Sequence, residues 1–138
     1  MNILEMCDWE AATVPAEATV ELAIRTMLDR QVGAVAVIDE DRRVAGVFTE
    51  RDVLRLSLGE PDLRKIPVRK VMTAPVEMAT RATTAGEALA TMVERHYRHL
   101  PIVDDDGRLL GMLSIRNLLQ VRIDRLTHQL DQVRSAML

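Results

Sequence analysis

The sequence predicts an α+β fold of two tandem β-α-β-β-α repeats, packed sheet to sheet about a pseudo-twofold axis, with a further helix at the C-terminal end. Three observations carry that prediction: a self-match at a fixed offset, apolar spacing that switches from helical to strand-like at the same places in both copies, and turn-forming clusters between the apolar runs. Residues 14–54 align on 79–119 at a constant offset of 65 without a gap. Eleven of the 41 pairs are identical: Thr19/Thr84, Ala23/Ala88, Thr26/Thr91, Met27/Met92, Arg30/Arg95, Asp39/Asp104, Asp41/Asp106, Arg43/Arg108, Gly46/Gly111, Arg51/Arg116 and Leu54/Leu119. Most other pairs exchange one apolar residue for another, as in Val37/Ile102, Ile38/Val103, Val44/Leu109 and Val47/Met112, so the buried faces repeat as well. One unit alone is too small to bury both faces of its sheet, and stacking the two copies solves that.

The first copy opens with a helix whose Val20, Ala23, Ile24, Met27 and Leu28 fall three and four residues apart, with Thr19 as its N-cap and Thr84 as the counterpart. Gly33 ends that helix. Ala34 to Ile38 reads as a buried strand, turned by Asp39-Glu40-Asp41-Arg42-Arg43 into a second strand from Val44 to Phe48, and a closing helix starts at Thr49. The second copy repeats this with Leu100 to Val103, the turn Asp104 to Gly107, Leu109 to Leu113, and a helix from Ser114. Pro101 has no amide hydrogen, which restricts its strand to a sheet edge or to first-residue positions. Gly59-Glu60-Pro61-Asp62 and Ile66-Pro67 mark the connection, and Val71-Met72-Thr73 begins the second copy. The expected division is residues 1–58, a linker over 59–66, a second unit over 67–125, and a helical extension over 126–138. Leu119, Ile123, Leu126, Leu130, Val133 and Met137 alternate spacings of four and three over almost three heptads. So long a helix would overhang one small module, and a homodimer is expected.

At 138 residues, 48% hydrophobic and 28% charged, the chain has the balance of one packed domain. A formal charge of −3 gives no global attraction for nucleic acid or anionic lipid. Trp9, Tyr97 and Phe48 are too few to form a stacking platform for single strands. Cys7 is the single cysteine, which rules out an internal disulfide and suits the cytoplasm; a small apolar filler of the first strand is its expected role. The start Met1-Asn2-Ile3-Leu4-Glu5 lacks the pattern of an export signal, and no apolar run is long enough to span a bilayer. Asp104-Asp105-Asp106 lacks the spaced ligands of a calcium loop and reads as a solvated turn. His96, His99 and His128 form no ligand pattern, His96 and His128 being surface positions, so no metal site is expected. No nucleophile or acid–base pair stands in a recognisable motif, and the chain is not expected to be an enzyme.

The duplication, Val71-Met72-Thr73, His99-Leu100-Pro101-Ile102-Val103-Asp104, and the paired motifs Gly46-Val47-Phe48-Thr49-Glu50-Arg51-Asp52 and Gly111-Met112-Leu113-Ser114-Ile115-Arg116-Asn117 stand together over nearly the whole chain. As a set they resemble the cystathionine-β-synthase (CBS) domain pair, or Bateman module. The resemblance implies a regulatory module that binds AMP, ADP, ATP or S-adenosylmethionine between the copies, with Mg²⁺ entering only beside a triphosphate. It also implies that Arg98, His99 and Pro101, with Gly33 and Ala34 at the matching first-copy positions, line the clefts. For Arg98 and His99 the residues also allow a plain solvated helix end, where cations complement the dipole.

The motif itself has a chemistry. Thr49 sits where a strand becomes a helix and the first helical amides lack partners, so a phosphate there would meet backbone donors, the Thr49 hydroxyl and the Arg51 guanidinium. Asp52, with two acceptor oxygens, suits the paired hydroxyls of a ribose. The same residues also make a capping box, Thr49 as N-cap and Asp52 reaching back, and the two roles are compatible. In the second copy Ser114 keeps the hydroxyl beside Arg116, but Asn117 has one acceptor oxygen and no charge, so the two clefts are expected to be unequal. Replacing Glu50 by Ile115 removes a negative charge near the phosphate position and works in the opposite direction. Two functions follow: a nucleotide sensor, or an interaction module that dimerises or inhibits a partner and needs no ligand.

Overall fold

The computed structural model describes residues 2–59 and 62–137; Glu60 and Pro61 of the expected linker, together with Met1 and Leu138, lie outside the described residues. Helix α1 (Ile3–Met6) precedes strand β1 (Thr13–Pro15), helix α2 (Val20–Arg30), the hairpin β2 (Ala34–Ile38) and β3 (Val44–Thr49), and helix α3 (Glu50–Leu56). The second copy supplies α4 (Ala85–Arg95), β4 (His99–Val103), β5 (Leu109–Ser114) and α5 (Ile115–Met137). Thr19 and Thr84 cap α2 and α4, each accepting the amide three residues on. In both hairpins an aspartate shapes the turn: Asp39 Oδ1 accepts the amides of Asp41 and Arg43, and Asp104 Oδ1 those of Asp106 and Arg108. The triple-aspartate run is therefore an exposed turn held by its own first side chain.

The strand β2 is apolar at every position because both of its faces are covered. Val35 and Val37 point into a core with Val20, Ala23, Met27 and Phe48. Ala36, with Ile38 and Val44 beside it, meets Leu109 and Met112 of the other copy, and this is where the two sheets pack. Leu100, Ile102 and Leu113 enter the second core with Ala88 and Met92. At the hairpin ends the copies clasp each other reciprocally. The Val44 amide donates to Gly107 O (3.1 Å) and the Leu109 amide to Arg42 O (2.9 Å), while Arg43 Nε reaches Asp106 O and Arg108 Nε reaches Asp41 O. Two of the identical pairs found in the sequence, Asp41/Asp106 and Arg43/Arg108, thus describe one symmetric contact.

The first sheet is three-stranded, with β1 parallel to β2. In the second sheet the expected first strand shrinks to one bridge, Ala79 to Ile102. Pro101 accounts for the loss. In the first copy the Ala36 amide donates to Ala12 O, and Pro101 at the matching position has no hydrogen to offer.

Several sequence expectations shift. Leu28 is 71% exposed and leaves the helix face to Val20, Ala23 and Met27. Gly33 does not end α2; Gln31 does, in the left-handed conformation at φ 54°, as His96 does for α4 at φ 60°. Val71 and Met72 pack on the first core, with Val68 fully buried there, and Thr73 bridges to Val47 of β3. The reverse exchange happens at the start of the chain, where Ile3 and Cys7 enter the second core and Asp8 bridges to Met112 of β5. Cys7 is therefore not in the first strand; it caps α1 and fills the second unit. Burial pushes its thiol above the ordinary value.

Gly46 and Gly111 make these crossings possible. A Cβ on Gly46 would lie 2.7 Å from Met72 Sδ and 2.8 Å from Thr73 O; on Gly111 it would lie 2.6 Å from Cys7 Sγ and 2.9 Å from Asp8 O. Gly46→Ala and Gly111→Ala are each expected to lower stability by about 1–3 kcal/mol, read by urea unfolding. Wild-type stability in either would mean the crossing segments yield freely.

Candidate functional site

Each motif lies where a strand hands over to a helix, at the end of the sheets opposite the clasped hairpin turns. Thr49 ends β3 and caps α3. The Thr49 amide donates to Asp52 Oδ2 (2.9 Å), the Thr49 hydroxyl reaches the same oxygen (3.2 Å), and the Asp52 amide donates back to Thr49 Oγ1 (3.3 Å). Ser114 and Asn117 repeat the box: hydroxyl to Asn117 Oδ1 at 2.6 Å, Asn117 amide to Ser114 Oγ at 3.0 Å. An amide side chain therefore does the same capping as a carboxylate.

The surroundings of the two boxes differ. Asp52 is 1% exposed. Thr73 donates its hydroxyl to Asp52 Oδ1 (3.2 Å), and the Arg55 guanidinium stands 3.3 Å from the same oxygen with most of its own length in solvent. Asn117 is half-buried. The oxygens of Asp52 are turned inward onto Thr49, Thr73 and Arg55, so a ribose could reach the carboxylate only by displacing one of these partners. The expectation of free amides at the helix start is corrected. Glu50 N donates to Gly33 O (3.0 Å) and Ile115 N to Arg98 O (2.8 Å), in addition to the amides used by the boxes. Positive charge at this end of the molecule is thus carried mainly by side chains.

Gly33, Glu50 and His99 come together between the copies. A Cβ on Gly33 would collide with the Glu50 carboxylate and stand 3.3 Å from His99 Cε1, so only glycine leaves room for both. Ala34 is buried beside them and pairs with Thr49, as His99 pairs with Ser114. Arg51 spans the copies, donating to His96 O at the left-handed cap of α4 (2.8 Å). Arg98 and Arg116 are exposed. Pro101 departs from this group: as the counterpart of Ala36 it is buried within its sheet and offers its carbonyl to Ala79. Sequence reasoning missed Thr73, Arg55 and the His96 carbonyl. Arg55, three residues after Asp52 on a helix, was legible as a partner.

A model of the CBS domain family matches residues 5–59 and 68–124. The chain belongs to the CBS domain family. This CBS pair is 36% identical over 128 residues to an uncharacterized 17.7 kDa protein of Acidianus ambivalens, covering 93% of this chain and 77% of that one. Other curated relatives are longer, and the CBS pair spans 55% of one and 22% of another. A solved protein with CBS domains from Burkholderia ambifaria MC40-6 superposes with a TM-score of 0.80 at 34% identity, over 88% of this chain and 91% of that one. The CBS domain protein PAE2072 from Pyrobaculum aerophilum, complexed with AMP, superposes with a TM-score of 0.78 at 25% identity, over 85% and 89%. Among the described residues, no helix is long and apolar enough to cross a membrane.

Two outcomes follow from the site. Asp52→Ala is expected to cost about 1–3 kcal/mol, because it strands the Thr49 amide and the Thr73 hydroxyl, whereas Asp52→Asn keeps the box that Asn117 already makes. Equal losses in urea unfolding would show the box to be unimportant. Burial pushes the His99 imidazole below its ordinary value, Glu50 opposing and Arg98 adding to the shift. A base depressed in the folded state takes its proton first in the unfolded chain. Its contribution is therefore complete above about pH 6.5 and declines as pH falls through the folded value. His99→Gln should flatten that decline; identical slopes in both proteins between about pH 7.5 and 5 would assign it to other groups.

Proposed function

We infer that this CBS pair is a non-catalytic regulatory module that binds an adenosine-containing ligand between its two copies, with AMP placed first ahead of ADP, ATP and S-adenosylmethionine. The observation that carries the reading is the matched pair of hydroxyl–acceptor boxes, beside which Gly33, Glu50, Arg51 and His99 converge from both copies. The AMP complex of the Pyrobaculum aerophilum protein supports the choice of ligand class.

In this reading Arg51, with Arg98 and Arg116, serves the phosphate, and Thr49 and Ser114 contribute hydroxyls. The ribose diol takes Asp52 by displacing the Arg55 guanidinium, an exchange of one cationic donor for two neutral hydroxyl donors to the same carboxylate. Gly33, Ala34 and His99 form the wall, and Pro101 only supports it. Asn117 holds the second cleft more weakly. Mg²⁺ enters only with ATP. Binding favours one arrangement of the copies and shifts the population toward it. The buried free thiol of Cys7 fits a reducing compartment such as the cytoplasm. The competing reading, an interaction module without a ligand, draws on the same capping boxes, which are complete by themselves.

Thermal unfolding with each of the four ligands separates the two. A ligand at about 100 times its dissociation constant stabilises by roughly 2.7 kcal/mol, a shift of several degrees for a chain of this size. AMP is expected to produce it in the wild type, and Asp52→Asn to weaken AMP about tenfold or more through the lost charge. No shift with any ligand leaves the interaction module; equal affinity in both proteins removes Asp52 from the site.

A further inference from the structure

The second cleft has Asn117 where the first has Asp52, and the capping box uses up what Asn117 can accept. Its Oδ1 takes both the amide (3.3 Å) and the hydroxyl (2.6 Å) of Ser114. What remains is an NH₂, a donor, so a ribose diol brought to this motif would offer two hydroxyl hydrogens and find no acceptor. In the first copy the motif aspartate is met by the crossing residue Thr73, whose hydroxyl lies 3.2 Å from Asp52 Oδ1. The residue 65 positions before Thr73 is Asp8. The two crossings share one register. Thr73 bridges to Val47 and Asp8 to Met112, each partner lying two residues before the hydroxyl of its own motif. A Cβ on the glycine beneath would stand 2.8 Å from Thr73 O in one copy and 2.9 Å from Asp8 O in the other. The Asp8 side chain therefore starts from the backbone place from which Thr73 reaches its motif. Acceptor and donor have changed places: the first copy carries its carboxylate on the motif and a hydroxyl on the crossing, the second an amide on the motif and its carboxylate on the crossing.

We propose that Asp8 is the ribose-binding carboxylate of the second cleft, supplied by the crossing segment in place of the aspartate its motif lacks; this role rests on nucleotide binding between the copies. The state of Asp8 suits the task. Asp52 is 1% exposed and paired with Arg55, whereas Asp8 is exposed and, among the described residues, belongs to no ion pair. Gln120 stands at the position of Arg55 in the second copy, neutral and bonded to Asp124 (3.0 Å). A diol arriving at Asp8 thus has no cation to displace. Asp8 Oδ1 accepts the Glu10 amide (3.0 Å), which orients the side chain and leaves Oδ2 for the ligand. What Asn117 gives up at the motif, Asp8 returns from the crossing.

Calorimetric titration of the full chain with AMP and with 2′,3′-dideoxy-AMP tests it. Asp8→Asn keeps an Oδ1 for the Glu10 amide, so its urea unfolding should match the wild type. AMP is expected to fill both clefts of the wild type. Asp8→Asn should weaken AMP in one cleft about tenfold or more through the lost charge and leave the dideoxy ligand unaffected. Asp52→Asn should weaken AMP in the other cleft, and Asp8→Asn/Asp52→Asn in both. Asp8→Thr should lose AMP from the second cleft, and Asp8→Thr/Asn117→Asp, which rebuilds the arrangement of the first copy, should recover it. Wild-type AMP affinity in Asp8→Asn, an equal loss for the dideoxy ligand, or no recovery in the exchanged pair overturns the role of Asp8 and leaves nucleotide binding standing. A wild type that binds neither nucleotide overturns both.

Discussion

After the hairpins pair internally, β3 and β5 each keep one free hydrogen-bonding edge, and each closes it with a segment that lies far off along the chain. Thr73 exchanges both backbone bonds with Val47, and Asp8 does so with Met112. The crossing segments also deliver core residues, Val68 to the first cluster and Ile3 to the second, both with no exposed surface. The approach is so close that the strand residue beneath it has to be glycine in both copies. Edge closure, core filling and the need for Gly46 and Gly111 are therefore one constraint expressed three ways.

The site depends on this closure. Thr73 reaches Asp52 only because its segment lies along β3, so the carboxylate that caps α3 is held from two directions by parts of the chain 21 residues apart. The second copy carries Asp8 at the position of Thr73, and Asn117 stands where Asp52 does. The asymmetry of the clefts is thus a difference in paired positions, at the crossing segment and at the motif together. At the far end the hairpin clasp fixes the two sheets, leaving the motif end as the place where Arg51 ties the copies through the His96 carbonyl.

The duplication, the helix caps Thr19 and Thr84, the hairpins and the Thr49–Asp52 box were all readable in the sequence, because each rests on local spacing or on identities that a single offset reveals. The crossings were not. Ile3 and Val68 stand at the same offset of 65 but share only apolar character, and none of the pairs around them is identical, so a match by identity begins only at Thr19/Thr84. Gln31 and His96 hid their left-handed caps because glycine is the usual signal and Gly33 stood two residues away. Asp52 was readable as a cap or as a ligand group. Only burial could tell that its oxygens are already engaged, since Thr73 and Arg55 approach from outside the motif.

The exchange of crossing segments also bears on what one repeat could do by itself. A chain carrying a single copy would present its own lead-in segment with nowhere intramolecular to lodge, a strand edge without hydrogen bonds, and a hole where Ile3 or Val68 belongs. Two such chains could satisfy all three needs by trading lead-in segments, in the manner of a domain-swapped dimer. The tandem chain is that swapped dimer joined covalently, so its smallest cooperative unit is the pair of repeats, and proteolytic cutting between them would yield two incomplete halves that still belong together.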